Sequence, residues 1–416
     1  MDNIVIHKFG GSCLRERSDI DNIVDAIVNT PGKPVVVVSA LWGMTDRLYR
    51  AAREPRYAGR LVEDLKTQHL RFAPGLDVGK YGEKFSKVIR DISVQLVKLS
   101  SGEPSLTSEN IILAAGERLS ALAIAHQLTK FGLNAHPVGA EDIGLKLSGE
   151  GRAAEIDLEN SKLSMTNDWL AGVPILTGWF GQGKDGNLAL LSRGGSDHSA
   201  AAFANLLAAS KVILWKDVDG IKRLNPRWGI NTSAIPYLGY GEAAELSLHG
   251  TQVIHPATVK PLVEEGIPIE IRNIVKSKGG HPPTVIGPDI YSNEIKGIGC
   301  KLGVSIICSD APIGSELLSL LEEHNVTTWS INSTPEEMKI IASSHDIQDI
   351  EHLITGKIEH KSAMISIIGQ TEKDLGIEYE LVSDTKYGKR IIVNNDDIVG
   401  TLRKLSHSFF SLQDCK

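Results

Sequence analysis

Short aliphatic and β-branched runs recur along the chain, each followed by a stretch of helical periodicity, and this alternation limits the fold more than any other feature. Asn3-Ile-Val-Ile-His7, Lys33-Pro-Val-Val-Val-Val-Ser39, Val173-Pro-Ile-Leu-Thr177 and Lys211-Val-Ile-Leu-Trp215 read as strands buried on both faces. Between them, Ser18 to Val28, Gly116 to Phe131 and Ser199 to Ala209 carry small and apolar residues at three- and four-residue spacing. Strand and helix in alternation predict an α/β fold with a mostly parallel sheet covered by helices.

The rhythm changes twice. From about Arg53 to Leu106 the chain is more charged and largely helical, an excursion that suits a lid or an interface. Lys276-Ser-Lys-Gly-Gly-His-Pro-Pro-Thr284 reads as a loop, and a domain boundary is placed shortly after it, near Asn293. The expected domains are therefore 1–292 and 293–416. In the second, Gly303 to Cys308, a helix Gly314 to Glu323, and strands Val326 to Ile331 and Met338 to Ala342 make one βαββ-like round. Ala363 to Gly369, Arg390 to Val393 and a helix Asp396 to His407 make a second, short and irregular one.

A chain of 416 residues with 42% hydrophobic residues is large enough for two or three cores. Its net charge of −7 provides no basic field for nucleic acid or an anionic membrane. No apolar run has membrane-span length and the N-terminus lacks a leader pattern, so a cytoplasmic location is expected. Cys13, Cys300, Cys308 and Cys415 lack both a disulfide framework and metal-site spacing and read as free thiols.

Four motifs carry candidate chemistry. Lys8-Phe9-Gly10-Gly11-Ser12 follows a strand; adjacent glycines admit phosphate oxygens to backbone N–H groups, and the lysine supplies charge. A tight turn beside a solvated lysine is the alternative. Arg193-Gly194-Gly195-Ser196-Asp197 leads into an Ala-rich helix, where arginine can hold a carboxylate and the helix start favours anions; ordinary capping by Ser-Asp is the alternative. Trp215-Lys216-Asp217-Val218-Asp219-Gly220 closes a buried strand at the end where open α/β sheets hold ligands, or is only a turn. In Gly116-Glu117-Arg118, glutamate falls in the first turn of an apolar helix, a dipole partner by default and otherwise a contact for a substrate ammonium. No run has the pattern of a calcium loop or a His/Cys metal cluster.

These four motifs, in order and together with Val38-Ser39-Ala40-Leu41-Trp42-Gly43-Met44-Thr45 and Gly250-Thr251-Gln252-Val253-Ile254-His255-Pro256, closely resemble the aspartokinases, strongly over residues 3 to 275. Asp396 to Phe410 resembles the closing helix of that family's paired ACT modules. The resemblance implies an amino-acid-kinase-type three-layer αβα sandwich followed by C-terminal α+β ACT-like (βαββ) modules. It implies ATP-dependent phosphorylation of the side-chain carboxylate of L-aspartate, with ATP and nucleotide-borne Mg2+, a homodimer through the C-terminal region, and an amino-acid effector.

By the same resemblance, Lys8 and Asp197 are catalytic, and Ser39, Thr45, Glu117, Phe180, Arg193 and Ser196 bind the amino acid. Lys8, Phe9, Gly10, Gly11, Ser12, Lys216, Asp217, Asp219, Lys222, Arg227 and Gln252 border the nucleotide. This chain departs from the family at Ser12 and Cys13, at Ala189-Leu190-Leu191-Ser192 where two hydroxyls are lost, at Lys216, Lys222 and Asn225, and at Gln252, where the family has lysine. Two alternatives share the resemblance: the same chemistry on a related carboxylate, and a silent homologue that binds ligands through its C-terminal region.

Overall fold

The structure is a computed structural model that describes residues 3–102, 105–149, 154–192, 194–249, 254–275, 282–290, 292–310, 314–324, 326–394 and 396–410. It divides into two compact units, Met1–Ile221 with Ala257–Pro288, and Lys222–Pro256 with Asp289–Lys416. A single cut after residue 292 does not express this division, because 222–256 joins the second unit through partners far along the chain. Leu224 bridges to Ile298, and Glu242 pairs with Lys296.

In the first unit the strands lie in the order Thr284–Gly287, Ile269–Asn273, Lys211–Lys216, Ile4–Phe9, Lys33–Val38, Val173–Thr177, Ala135–Val138. All neighbouring pairs in this order are parallel except that Thr284–Gly287 runs antiparallel to Ile269–Asn273. The continuous apolar runs follow from burial on both faces. Val5, Phe9, Val36, Val38, Ile213 and Trp215 enter one core with residues from the helices Asp19–Val28, Met44–Arg53, Leu61–Phe72, Gly82–Ser100 and Leu106–Lys130. Ile6, Val35, Val37, Val212 and Leu214, of the opposite parity, are equally buried, and the helix Gly195–Leu206 packs on the strands Ile4–Phe9 and Lys211–Lys216. Each fully buried Val, Ile or Phe contributes about 1.5–3 kcal/mol relative to an exposed one. The charged excursion is helical, as expected.

The helix Leu106–Lys130 begins earlier than its sequence pattern suggested, capped by the Ser105 hydroxyl, which accepts from the Ser108 amide at 3.2 Å. It is long and apolar enough to cross a bilayer by composition, but 89% of its apolar window is buried within the fold.

The second unit carries an antiparallel sheet in the order Thr328–Ser333, Glu337–Ser343, Gly297–Asp310, Lys357–Ile368, Gly388–Val393, Glu380–Thr385. Two cores serve it. Ile307, Leu317, Leu321, Ile340 and Ile347 gather around the helix Gly314–Glu323, and Ile298, Ile365, Ile391, Leu402 and Leu405 around the helix Ile398–Phe409. No helix intervenes between the strands Lys357–Ile368 and Glu380–Thr385.

Candidate active site

Strand order reverses beside Ile4–Phe9, which has Lys33–Val38 on one side and Lys211–Lys216 on the other. The carboxyl ends of strands at such a switch point open a crevice, the usual ligand position in open α/β sheets. Lys8 aligns with Leu214 across the parallel pair, so Lys216, two residues on, leaves the sheet on the same face as Lys8. Both ammonium groups meet Asp197: Lys8 Nζ lies 2.6 Å from Oδ1, and Lys216 Nζ donates to Oδ2 at 2.8 Å.

Asp197 stands in the first turn of the helix Gly195–Leu206, whose N-cap is Gly194 at φ 78°. A left-handed cap suits glycine, and it carries the chain into the helix without a side-chain cap. The Ser-Asp capping alternative therefore fails: Ser196 and Asp197 are both inside the helix and buried. Burial pushes the Asp197 carboxyl up, but the Lys216 and Lys8 charges outweigh it and hold it well below the usual carboxylate range. For Lys8, burial and the Lys216 charge pull the ammonium below its ordinary value against the attraction of Asp197.

Glu117 lies midway along the helix Leu106–Lys130, not in its first turn, so the helix-dipole explanation does not apply. Burial raises its carboxyl to about 8, against hydrogen bonds from the Ala40 and Glu117 backbones and the Lys8 charge. Its Oε2 is buried without a hydrogen-bond partner. The preceding Gly116 sets this position: a Cβ there would come 2.7 Å from Ala40 Cβ. Only glycine lets the Ser39-Ala40 segment approach the helix so closely.

Around this centre the other sequence candidates take defined places. A Cβ on Gly10 would lie 3.2 Å from Lys8 Nζ, which puts the glycine turn against the ammonium, and Ser12 lies in the one-turn helix Gly11–Cys13. Phe9 is fully buried, stacked at 6.2 Å on Trp215, and Trp215 Nε1 donates to His7 Nδ1 at 3.2 Å. This stack supports the strand ends from the opposite face, and burial lowers His7 to about 3, keeping it neutral. Half-buried Ser39 donates its amide to Phe9 O at 3.1 Å, and half-buried Thr45 sits in the first turn of Met44–Arg53. Phe180 is a core residue under the Arg118 guanidinium, 5.4 Å from its ring.

Asp217 pairs with Arg15 at 2.7 Å, and Asp219 accepts from Asn273 Nδ2 at 2.7 Å. Lys222 and Arg227 belong to the second unit, where Lys222 bridges to Ala234 and Arg227 Nη2 donates to Cys300 O at 3.0 Å. Arg193 and Gln252 lie outside the described residues. Sequence reasoning missed Arg15, Asn273 and Gly116. The first two are ordinary polar residues whose partners lie 202 and 54 positions away; Gly116 was visible only as the neighbour of Glu117.

A buried carboxylate bridging two lysines at the switch point of a parallel sheet defines an anion-handling enzyme of the α/β class, and the comparisons give its family. The chain belongs to the amino acid kinase family, whose model matches residues 3–273. Its similarity is to the aspartokinases: it is 26% identical to aspartokinase 1, chloroplastic, of Arabidopsis thaliana over 98% of this chain and 80% of that protein. Aspartokinase 3 of Bacillus subtilis (strain 168) is 27% identical over 87% of this chain and 86% of its own. Among solved structures, E. coli aspartokinase III in complex with aspartate and ADP matches with a TM-score of 0.80 at 20% identity, covering 98% of this chain and 100% of that chain. The family resemblance and the fold class read from the sequence are thereby borne out.

Proposed function

We propose that the chain is an aspartate kinase, transferring the γ-phosphoryl group of ATP to the side-chain carboxylate of L-aspartate to give 4-phospho-L-aspartate and ADP. The observation that carries this reading is the buried Lys8, Asp197 and Lys216 cluster in an aspartokinase-like fold. The acceptor is already a carboxylate, so no strong base is required. A carboxylate oxygen attacks the γ-phosphorus, the bond to the β,γ-bridging oxygen breaks, and ADP leaves with that electron pair. What the protein must supply is alignment of two anions and compensation of their charge.

Lys8 compensates the transferring group, with the Gly10-Gly11 turn against the phosphates. Asp197 holds the lysine in position. Burial raises the Glu117 carboxyl to about 8, and the substrate ammonium favours its ionised form, which links amino-acid recognition to the charge of this group. Ser39, Thr45, Phe180, Ser196 and Arg193 complete the acceptor side; Asp217, Asp219, Lys222, Arg227 and Gln252 belong to the nucleotide side.

No group of three or more metal-ligating His, Cys, Asp or Glu side chains occurs among the described residues, and both Asp197 oxygens face lysines. These donors do not form a protein cage for Mg2+. The ion is assigned to the triphosphate, and no step depends on a protein ligand to it.

The antiparallel sheet, with one apolar cluster around each of its two helices Gly314–Glu323 and Ile398–Phe409, supports reading 293–416 as paired ACT-like modules that form a homodimer and respond to an amino acid. With them goes a cytoplasmic enzyme whose catalytic region lies within 1–292, its segment 222–256 packing with the C-terminal unit.

The test is trapping of acyl phosphate as the hydroxamate, with ATP, magnesium and L-aspartate, beside a panel of other amino acids. Aspartate-dependent product that falls at least about 10²-fold in Lys8→Ala is expected. Product with a different acceptor alone would reject aspartate as substrate, and none with any acceptor would reject the kinase.

A further inference from the structure

Two lysines converge on one carboxylate in this site, and among the described residues Asp197 is the salt-bridge partner of both. Lys8 is almost fully buried, whereas the Lys216 side chain is 18% exposed, so the charge opens outward on the Lys216 side. Each ammonium carries three donors, and Asp197 presents one oxygen to each. Further donors on both nitrogens are therefore available to a ligand. Of the other acids near the pair, Asp217 is matched by Arg15, Asp219 accepts from Asn273, and burial raises the Glu117 carboxyl to about 8.

Backbone geometry makes the pair a fixed one. Lys8 and Lys216 stand on adjacent parallel strands, on one face of the sheet, at their carboxyl ends. Asp197 reaches both from the first turn of Gly195–Leu206, where the helix dipole favours a carboxylate. Lys222, the other lysine of this stretch, lies in the second unit, where its backbone bridges to Ala234, and it has no ion pair with Asp197.

We propose that Lys216 is a second phosphoryl-binding lysine, paired with Lys8 across Asp197 to clamp the terminal phosphate of the nucleotide. The proposal rests on the kinase reading for its ligand. In it the transferring group lies between two ammonium groups and exchanges one set of lysine donors for its own oxygens. The pair compensates charge as the phosphoryl group moves, and Asp197 sets their separation as a positioning residue.

The test compares wild type with Lys216→Met and Lys216→Arg in the full-length chain, measuring calorimetric affinity for ATP, ADP and AMP alongside hydroxamate turnover. Lys216→Met is expected to bind ATP at least tenfold more weakly with AMP affinity unchanged, and to lose about 10²-fold or more in kcat/KM for ATP. Partial rescue by Lys216→Arg is expected, since the charge is retained. A merely structural lysine would weaken AMP and ATP alike. Unchanged ATP affinity and turnover in Lys216→Met, or equal weakening of AMP and ATP, overturns the proposal. ATP binding without turnover by the wild type rejects the kinase reading alone, and the ATP-to-AMP comparison still decides Lys216. No ATP binding by the wild type rejects both.

Discussion

Glu117 is a carboxyl group 2% exposed in the middle of an apolar helix, and its elevated protonation range ties stability to pH. Its folded value of about 8 lies above the ordinary 4.5, so the folded state holds a proton that the unfolded state has released. The associated stability is complete below about 4.5 and is lost as pH rises through about 8. Glu117→Gln removes this dependence. The difference in thermal midpoint, variant minus wild type, is expected to grow between pH 5 and 8.5 in scanning calorimetry without ligand, and a flat difference would refute it. The same variant is expected to raise the aspartate KM about 10- to 100-fold through loss of a charge-assisted contact. At Gly116 the constraint is steric, because a methyl group would come 2.7 Å from Ala40 Cβ and 3.0 Å from Leu48 Cδ1. Gly116→Ala is expected to cost about 1–3 kcal/mol in chemical denaturation. The sequence showed Glu117 as a candidate but placed it in a first helical turn, because the apolar residues ahead of it, Ile111 to Ala115, have no polar face to mark them as helix.

Strand register turns a list of motifs into a site. Period-two alternation alone puts Lys216 opposite in direction to Trp215, and the pairing of Lys8 with Leu214 then brings both lysines to one face. The strands and helices were legible because buried parallel strands are continuously apolar and helices have their own period; the register was not, since it depends on contacts about two hundred residues apart. The helix Tyr240–His249 shows the same limit. Glu242 pairs with Lys296 at 2.6 Å, both side chains 9% exposed, and Glu245 accepts from Arg390 Nη2 at 2.6 Å. Glu242 also accepts from the Gly239 amide at 2.7 Å, so the carboxylate is committed to its place. Lys296→Met leaves that carboxylate buried without a counter-charge, and a loss of about 3–5 kcal/mol is expected in urea unfolding. Lys296→Met combined with Glu242→Gln removes the charge as well and is expected to recover more than half of the loss. If the double variant were no more stable than the single one, the ion pair would not be the cause.

At the scale of the molecule, neither compact unit is one continuous stretch of chain, since the backbone passes between them after residues 221, 256 and 288. The composition change near residue 276 marks the last of these passages and hides the first two. Residues 222–256 are flanked on both sides by first-unit chain, and only their tertiary partners reveal that they belong elsewhere. Leu224 and Ile230 sit in a core with Ile298, Ile365, Ile391 and Leu402. Glu242 and Glu245 find their cations at Lys296 and Arg390. A protein ending at residue 292, the boundary that the sequence pattern invites, would keep that segment and delete what covers it. Leu224, Ile230 and the partly buried Trp228 would then face water as an apolar patch next to two carboxylates stripped of their partners. Such a truncation is expected to bind a hydrophobic dye, to aggregate, and to lack a cooperative thermal transition, whereas a protein retaining residues 1–410 is expected to unfold cooperatively. A soluble, cooperatively folding 1–292 fragment would show that 222–256 draws its stability from the first unit instead, and would make the C-terminal region a separable domain.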